Sequence, residues 1–361
     1  MPARKKKSKP ISSGSKDSQG KLHGRGTERF PSGDVFTGRY KHGIKHGKGM
    51  WTFSDGSRLS ATFRDDEAHG QGTYQWPDGS QLVAAYCEGQ LNGPAIKTDG
   101  TGDVECSGNY VDSMREGRWY EVVDEYGAFL LGHLSSDGDW TGEEIAYVYP
   151  DKHHALLGQF EDGVLQEAAH ATCSGDSVET FAIVADSSSK VQMKACMSTE
   201  TQICEKPLIP DRYESATAYV APSQIPNSGE GLFAKRQLKA GELVAYYNGV
   251  RLSHSTVDSR DWSENGNCIS LDDDTVIDVP PNLSSTTVYC ATLGHKANHS
   301  FTPNSCYAPC PHPVYGEIKC IHTIADVEVG EEITVHYDYN HISQDGMEKP
   351  APDWYLNSKP A

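Results

Sequence analysis

Four short runs toward the C-terminal end of the chain combine glycine turns, amide and imidazole side chains, and tyrosines. They are Ser228-Gly229-Glu230-Gly231, Tyr246-Tyr247-Asn248-Gly249, Asn298-His299-Ser300-Phe301-Thr302-Pro303-Asn304 and Tyr337-Asp338-Tyr339. Paired glycines permit an open turn whose backbone a bound molecule can approach closely. Tyrosine rings supply apolar walls, and their hydroxyls can orient a polar group. Together the runs describe an enzyme site.

The elements that must position these residues read as mainly β. From Tyr213 onward, short β-rich runs at 217–220, 243–247, 275–279, 318–321 and 332–337 alternate with turns, and 286–293 is the best short helix. Further upstream, 165–213 is transitional, with strands expected at 180–184 and 190–193 and loop around the Ser187–Ser189 run, Pro207 and Pro210.

Ahead of that lies a repeat. His23-Gly24-Arg25-Gly26, His46-Gly47-Lys48-Gly49 and His69-Gly70-Gln71-Gly72 recur every 23 residues, and Asn92-Gly93 falls one period on. A second glycine keeps its own offset at Gly33, Gly56 and Gly79, two of them after aspartate, the Asp-Gly turn signal. Aromatics such as Phe36, Tyr40, Trp51, Phe63 and Tyr74 flank the turns. Each unit therefore reads as a β-hairpin, and stacked hairpins bury an aromatic face that one alone cannot. The repeated histidines read as turn residues copied by duplication, not as metal ligands.

Composition narrows the function classes. Net charge is −18, and the five basic residues of Met1–Pro10 leave the remainder at −23. Such a surface repels nucleic acid phosphates and favours a basic partner, such as a lysine-rich protein tail. The run Arg4-Lys5-Lys6-Lys7-Ser8-Lys9 fits either a nuclear import address or a flexible solubilising tail. Without an apolar run long enough to span a bilayer or a signal-peptide core, the chain is expected to be soluble and unsecreted. The ten scattered cysteines then read as reduced thiols, and Cys306 and Cys310 have no second pair at zinc-finger spacing.

The 23-residue unit resembles the MORN repeat, clear to about residue 100 and degenerate to about 163. Residues 213–341 resemble a SET domain, the β-rich fold of protein-lysine methyltransferases, because the four motifs stand in that family's order. With Gly294-His295-Lys296-Ala297-Asn298-His299 and Val257-Asp258-Ser259-Arg260-Asp261-Trp262, the chain resembles the MORN-repeat SET-domain lysine monomethyltransferases. The division that follows is a tail at 1–20, MORN-type hairpins at 21–163, a connecting β region at 164–213, the catalytic domain at 214–341 and a closing segment at 342–361.

The resemblance implies S-adenosylmethionine as cofactor, with no metal. It implies that Ser228, Gly229, Glu230, Gly231, Asn298 and His299 hold the cofactor in a knot-like core, and that Trp354 stacks near its adenine. It makes Tyr337 the main catalytic tyrosine, with Tyr339 lining the lysine channel and Tyr247 and Tyr307 bonding the amine or a nearby water. Tyrosine at those two wall positions implies one methyl per lysine. Asp258 and Lys319 match positions that contact the substrate peptide, along with Tyr247, His299 and Tyr337. Substrates are then basic-Ser/Thr-Lys segments of histone H3 and of non-histone proteins, and Lys7-Ser8-Lys9 makes Lys9 a candidate for automethylation. A monomer is expected, nuclear and cytoplasmic and associated with chromatin.

Two departures stand out. No cysteine follows Cys320, so the zinc cluster that closes many SET channels is absent, and Pro352-Asp353-Trp354-Tyr355 matches the start of an aromatic closing segment instead. Serine at 358 replaces the family's acidic residue, which points to weaker cofactor affinity. An alternative is a catalytically weak SET scaffold whose MORN hairpins bind a protein partner or an acidic lipid surface.

Overall fold

The computed structural model describes residues 9–175, 180–186, 192–261 and 264–337. Sixteen strands form one antiparallel sheet: β1 (Ile11–Lys16), β2 (Leu22–Arg29), β3 (Val35–Lys41), β4 (Ile44–Thr52), β5 (Arg58–Arg64), β6 (Glu67–Gln75), β7 (Gln81–Cys87), β8 (Gln90–Thr98), β9 (Val104–Val111), β10 (Met114–Val122), β11 (Phe129–His133), β12 (Gly142–Val148), β13 (His154–Glu161), β14 (Val164–Ser174), β15 (Ala182–Ala185) and β16 (Gln192–Lys194). The first fifteen neighbour one another in chain order, and β16 returns to pair with β14. The repeat is thus a continuous meander, two strands per period.

Two kinds of turn build each period. One carries the predicted glycines: Gly33, Gly56 and Gly79 have φ of 97°, 93° and 93°, and the Asp55 and Asp78 carboxylates accept the Ser57 and Ser80 amides at 2.9 Å. The other kind is a two-residue turn with both φ values positive, at His42-Gly43, Asp65-Asp66, Glu88-Gly89 and Asp112-Ser113. Mirror-image turns of this type match the right-handed twist of their strands, so positive φ is tolerated here even without glycine. Gly49 has a different role. A Cβ there would collide with the Phe36 ring, which is wholly buried against Trp51 and Phe63.

The remaining elements are α1 (Arg212–Thr217), β17 (Ala218–Pro222), β18 (Glu230–Ala234), β19 (Leu243–Tyr247), β20 (Val250–Ser253), α2 (His254–Asp258), β21 (Cys268–Ser270), β22 (Thr275–Asp278), β23 (Asn298–His299), β24 (Ser305–His312), β25 (Gly316–Thr323) and β26 (Glu332–Val335). They form three small sheets, ordered β17-β18-β26-β23, β19-β25-β24 and β20-β22-β21. Asp211 caps α1, its carboxylate accepting the Glu214 amide at 2.9 Å.

The helix expected at 286–293 does not form. Two threonines open the segment, and after a single turn the Cys290 and Ala291 amides bond the Pro207 carbonyl while the Leu293 amide bonds the Glu214 carboxylate. Those amides have partners elsewhere in the fold, so no helical ladder can use them. Short 3-10 turns at Pro281–Leu283 and Gly294–Lys296 flank it.

One hydrophobic cluster joins the end of the hairpin sheet to the small sheets, with Trp119, Tyr147, Tyr149 and Phe160 packed with Tyr213, Tyr246, Tyr289 and Ile318. Polar links cross the same seam: the Tyr149 hydroxyl donates to Asp211 at 2.6 Å, and the Tyr126 hydroxyl lies 3.2 Å from His322 Nδ1.

Candidate active site

Glu332 organises the glycine turn. Its carboxylate accepts hydrogen bonds from the Ser223 hydroxyl (2.6 Å), the Gln224 amide (2.8 Å) and the Asn298 side-chain amide (2.9 Å). The Asn298 amide also donates to the Glu230 carbonyl at 3.0 Å. This crossing is open only because residue 231 is glycine, since a Cβ there would fall onto Glu332 Oε1 and within 2.9 Å of its Cδ. Gly229 is at φ 68°, and an added Cβ would meet nothing within 4 Å, so the turn faces open space. Lys296 pairs with the Glu230 carboxylate at 2.7 Å, and the Gly229 carbonyl accepts the Ser223 amide at 2.8 Å.

The knot-like core rests on a parallel pairing. Asn298 and His299 of β23 lie beside Thr334 and Val335 of β26, and the Ser300 amide continues the ladder to the Val335 carbonyl. Asn304 locks the crossing, donating to the Glu332 carbonyl (2.9 Å) and accepting the Thr334 amide (2.9 Å). The Tyr337 amide donates to His299 Nδ1 at 3.1 Å. That bond assigns the imidazole proton to Nε2. Desolvation, reinforced by the His336 charge, lowers the His299 pKa to about 4, so the ring is neutral at physiological pH.

The tyrosines close around the adjoining space. Tyr247, 3% exposed, ends β19 opposite Lys319 on β25, and its hydroxyl donates to the Asn267 carbonyl at 2.6 Å. Tyr307, on β24, meets it edge-on with centroids 5.8 Å apart. Tyr337 donates to the Ala297 carbonyl at 2.8 Å and lies 5.4 Å from the His299 ring. Burial, then the neighbouring Tyr307 group, holds the Tyr247 phenol far above its ordinary pKa. The Tyr247 phenol is therefore neutral. The hydroxyls of Tyr247 and Tyr337 both direct their protons to backbone carbonyls, so their oxygen lone pairs remain to accept hydrogen bonds.

The structure thus gathers Glu230, Asn298, His299 and Tyr337 through adjoining hydrogen bonds, with Ser228, Gly229 and Gly231 in the turn beside them and Tyr247 and Tyr307 alongside. Lys319 stands in register with Tyr247, its pKa lowered by desolvation. Asp258 ends α2, which packs on β20 and β22 rather than on the glycine turn. Tyr339 and Trp354 lie outside the described residues.

Two positioning groups were not singled out in the sequence. Buried Glu214 accepts the Tyr246 amide (3.0 Å) and the Leu293 amide (2.8 Å) through one oxygen, joining the strand that carries Tyr247 to the segment leading to Asn298. Desolvation, then the Asp211 charge, raises its pKa well above the ordinary carboxylic range. Asp278, 1% exposed, pairs with Arg260 at 2.7 Å and ties the end of α2 to β22. Their only sequence signal is a carboxylate within a predicted strand or beside one, which does not distinguish them from surface charges.

The SET-domain family model matches residues 229–338, the segment that carries Glu230, Asn298, Glu332 and Tyr337, and together with a relative that spans nearly the whole chain it makes the chain a protein-lysine methyltransferase of the SET class. The MORN repeat model matches 18–35, 36–58 and 60–81, and the model described as "Histone H3 K4-specific methyltransferase SET7 N-terminal" matches 110–180. A Halocynthia roretzi protein named "Histone-lysine N-methyltransferase SETD7" is 48% identical over 349 residues, which span 95% of this chain and 90% of that one. The chain belongs to the SETD7 family of histone-lysine N-methyltransferases. Among solved structures it is similar to "ctPRC2 in an autoinhibited conformation bound to S-adenosylmethionine" (22% identity, TM-score 0.27), over 34% of this chain and 15% of that one. A humanized mutant of the Chaetomium thermophilum Polycomb Repressive Complex 2 is similar over the same shares (24% identity, TM-score 0.27). SET-domain methyltransferases use S-adenosylmethionine as methyl donor. Among the described residues, no helix is long and apolar enough to cross a membrane.

Proposed function

We propose that this enzyme places a single methyl group on lysines in basic-Ser/Thr-Lys segments, on the histone H3 tail and on non-histone proteins, at chromatin in the nucleus and also in the cytoplasm. The supporting observation is the pair of committed phenols, Tyr247 and Tyr337, beside the neutral His299 and the open turn at Gly229.

The open turn fits the cofactor's polar amino-acid end. At Gly229 the backbone is offered without a Cβ in the way, and Asn298 and Glu230 meet beside it. S-adenosylmethionine, when bound, supplies a methyl group on a sulfonium that leaves as a neutral thioether.

The target lysine must arrive as an amine. With an ordinary pKa of about 10.4 it is protonated in water, and entry into an apolar channel disfavours the charge. Tyr247 and Tyr337 then accept the two N–H groups of the neutral amine. Its lone pair would then be left free for the methyl group, and such positioning would be most of the catalysis. Neither phenol removes the proton, which passes to water as the lysine enters.

The same geometry supports a transfer that stops after one methyl. A monomethylated amine has lost one N–H, and a second transfer needs the new methyl to turn toward a wall that Tyr307 and Tyr247 occupy edge to face. Asp258 and Lys319 are assigned to the peptide on either side of the target, and Tyr339 and Trp354 to the channel and the adenine. Scaffolding alone gains no support from a site in which the turn, the asparagine and the tyrosines are joined. The exposed Lys9 is proposed as an automethylation target; mass spectrometry of enzyme incubated with cofactor that finds Lys9 unmodified removes it. The deciding experiment is methyl transfer to a panel of basic-Ser/Thr-Lys peptides, read by mass. Monomethyl product from wild type and far less from Tyr337→Phe is the expected result, and equal transfer by both refutes the assignment.

A further inference from the structure

We propose that Asp17, His23 and His42 form a binding site for a divalent transition cation of the zinc class, at the outer end of the hairpin sheet. One donor atom from each residue lies within 4.8 Å of the other two, and the three come from separate places: the β1–β2 turn, β2 and the β3–β4 turn.

Asp17 is oriented for the role. Its Oδ1 accepts the Gln19 amide (2.9 Å) and the Lys21 amide (3.0 Å), which leaves Oδ2 aimed at His42 Nδ1, 2.8 Å away. Backbone bonds that fix a ligating oxygen are a usual part of a metal site. The His23 ring lies against that of His42, centroids 4.8 Å apart.

Two imidazoles and one carboxylate suit zinc, cobalt or nickel, whereas calcium and magnesium take oxygen donors. Bonds of about 2.0–2.2 Å place tetrahedral donors about 3.4 Å apart. His42, with its side chain 61% exposed, is free to swing through the difference. Duplication does not account for the trio. One period after Asp17 stands Tyr40 and one period after His42 stands Asp65, so only the first unit holds all three donors. A cation here ties both turns to β2 next to β1, the edge strand whose six residues are all exposed, where a repeat array needs a cap.

The test uses the full chain, freed of metal with a chelator, titrated with ZnCl2 by calorimetry and with CoCl2 by visible absorption. Wild type is expected to bind one equivalent with a ligand-field spectrum, and saturating zinc is expected to raise the melting temperature by about 2–5 °C. His23→Gln and Asp17→Asn are expected to lose the spectrum and the shift while keeping the metal-free melting temperature and methyl transfer. A wild type with no cobalt spectrum, or variants that bind zinc as wild type does, overturns the proposal.

Discussion

Replacing Glu214 separates its two properties, its acceptor oxygen and its proton. Alanine removes the acceptor, leaving the Tyr246 and Leu293 amides buried without partners. At about 1–3 kcal/mol for each, the loss is about 2–6 kcal/mol before any cavity is counted, a large part of a typical domain's 5–15 kcal/mol. Glutamine keeps a carbonyl for both amides but cannot ionise. In wild type, desolvation, followed by the Asp211 charge, keeps the carboxyl protonated in the fold, whereas the unfolded chain ionises it near 4.5. Above that pH the native state binds the extra proton, so wild-type stability falls with rising pH, by about 1.4 kcal/mol per unit until the folded group itself titrates. Glu214→Gln escapes this loss. The two proteins are expected to unfold alike in urea near pH 4.5, and Glu214→Gln to become the more stable as pH rises through 6 to 7.5. Its turnover is expected to match wild type, while Glu214→Ala, if it folds, loses turnover because Tyr247 and Asn298 no longer share a support. A wild-type to Gln difference that does not change with pH refutes the buried-acid reading. A Gln variant as inactive as Ala refutes the positioning role.

Tyr337→Phe is expected to lower kcat by about 100–1000-fold, the scale of losing one aligned polar group at a reacting centre, with peptide KM little changed in steady-state assays. Tyr307→Phe, which removes a hydroxyl from the channel wall, is expected to yield dimethylated peptide by mass spectrometry; exclusively monomethyl product counts against the steric account. Gly231→Ala drives a Cβ onto Glu332 and to 3.2 Å from the Asn298 amide. Calorimetry is expected to show at least a tenfold loss of S-adenosylmethionine affinity, about 1.4 kcal/mol, with the circular dichroism spectrum retained. His295, buried with its pKa lowered to about 4 mainly by desolvation, is neutral in the fold. Stability is therefore lost as pH falls from 6.5 toward 4, by up to about 3 kcal/mol, and His295→Asn is expected to flatten that limb of the stability curve.

The glycine-marked turns and the strand at 243–247 were legible because glycine spacing and a continuous apolar and aromatic run are local signals. The second turn of each period was not, since His42, Asp65 and Glu88 have positive φ only because paired strands impose it. The segment at 286–293 misled for the converse reason. Its composition permits a helix, but the acceptors that capture its amides, Pro207 and Glu214, lie far away in sequence. Site residues were named from their motifs, whereas the Glu332 carboxylate that joins Ser223, Gln224 and Asn298 emerges only when three separate strands meet.

The seam between the hairpin sheet and the small sheets has a consequence for how the molecule comes apart. Tyr213 and Tyr246, in the layer directly behind Tyr247, pack with Tyr147 and Tyr149 of the other module, and Tyr149 bonds the residue that caps α1. Each side keeps clusters of its own, around Phe36 and Phe129 in the hairpin sheet and around Leu232 and Ile333 in the small sheets, but the end of the hairpin sheet shares its interior with the small sheets. A chain cut near residue 200 would expose these rings to water, so the last hairpins, from about Trp119 onward, should melt together with the catalytic sheets.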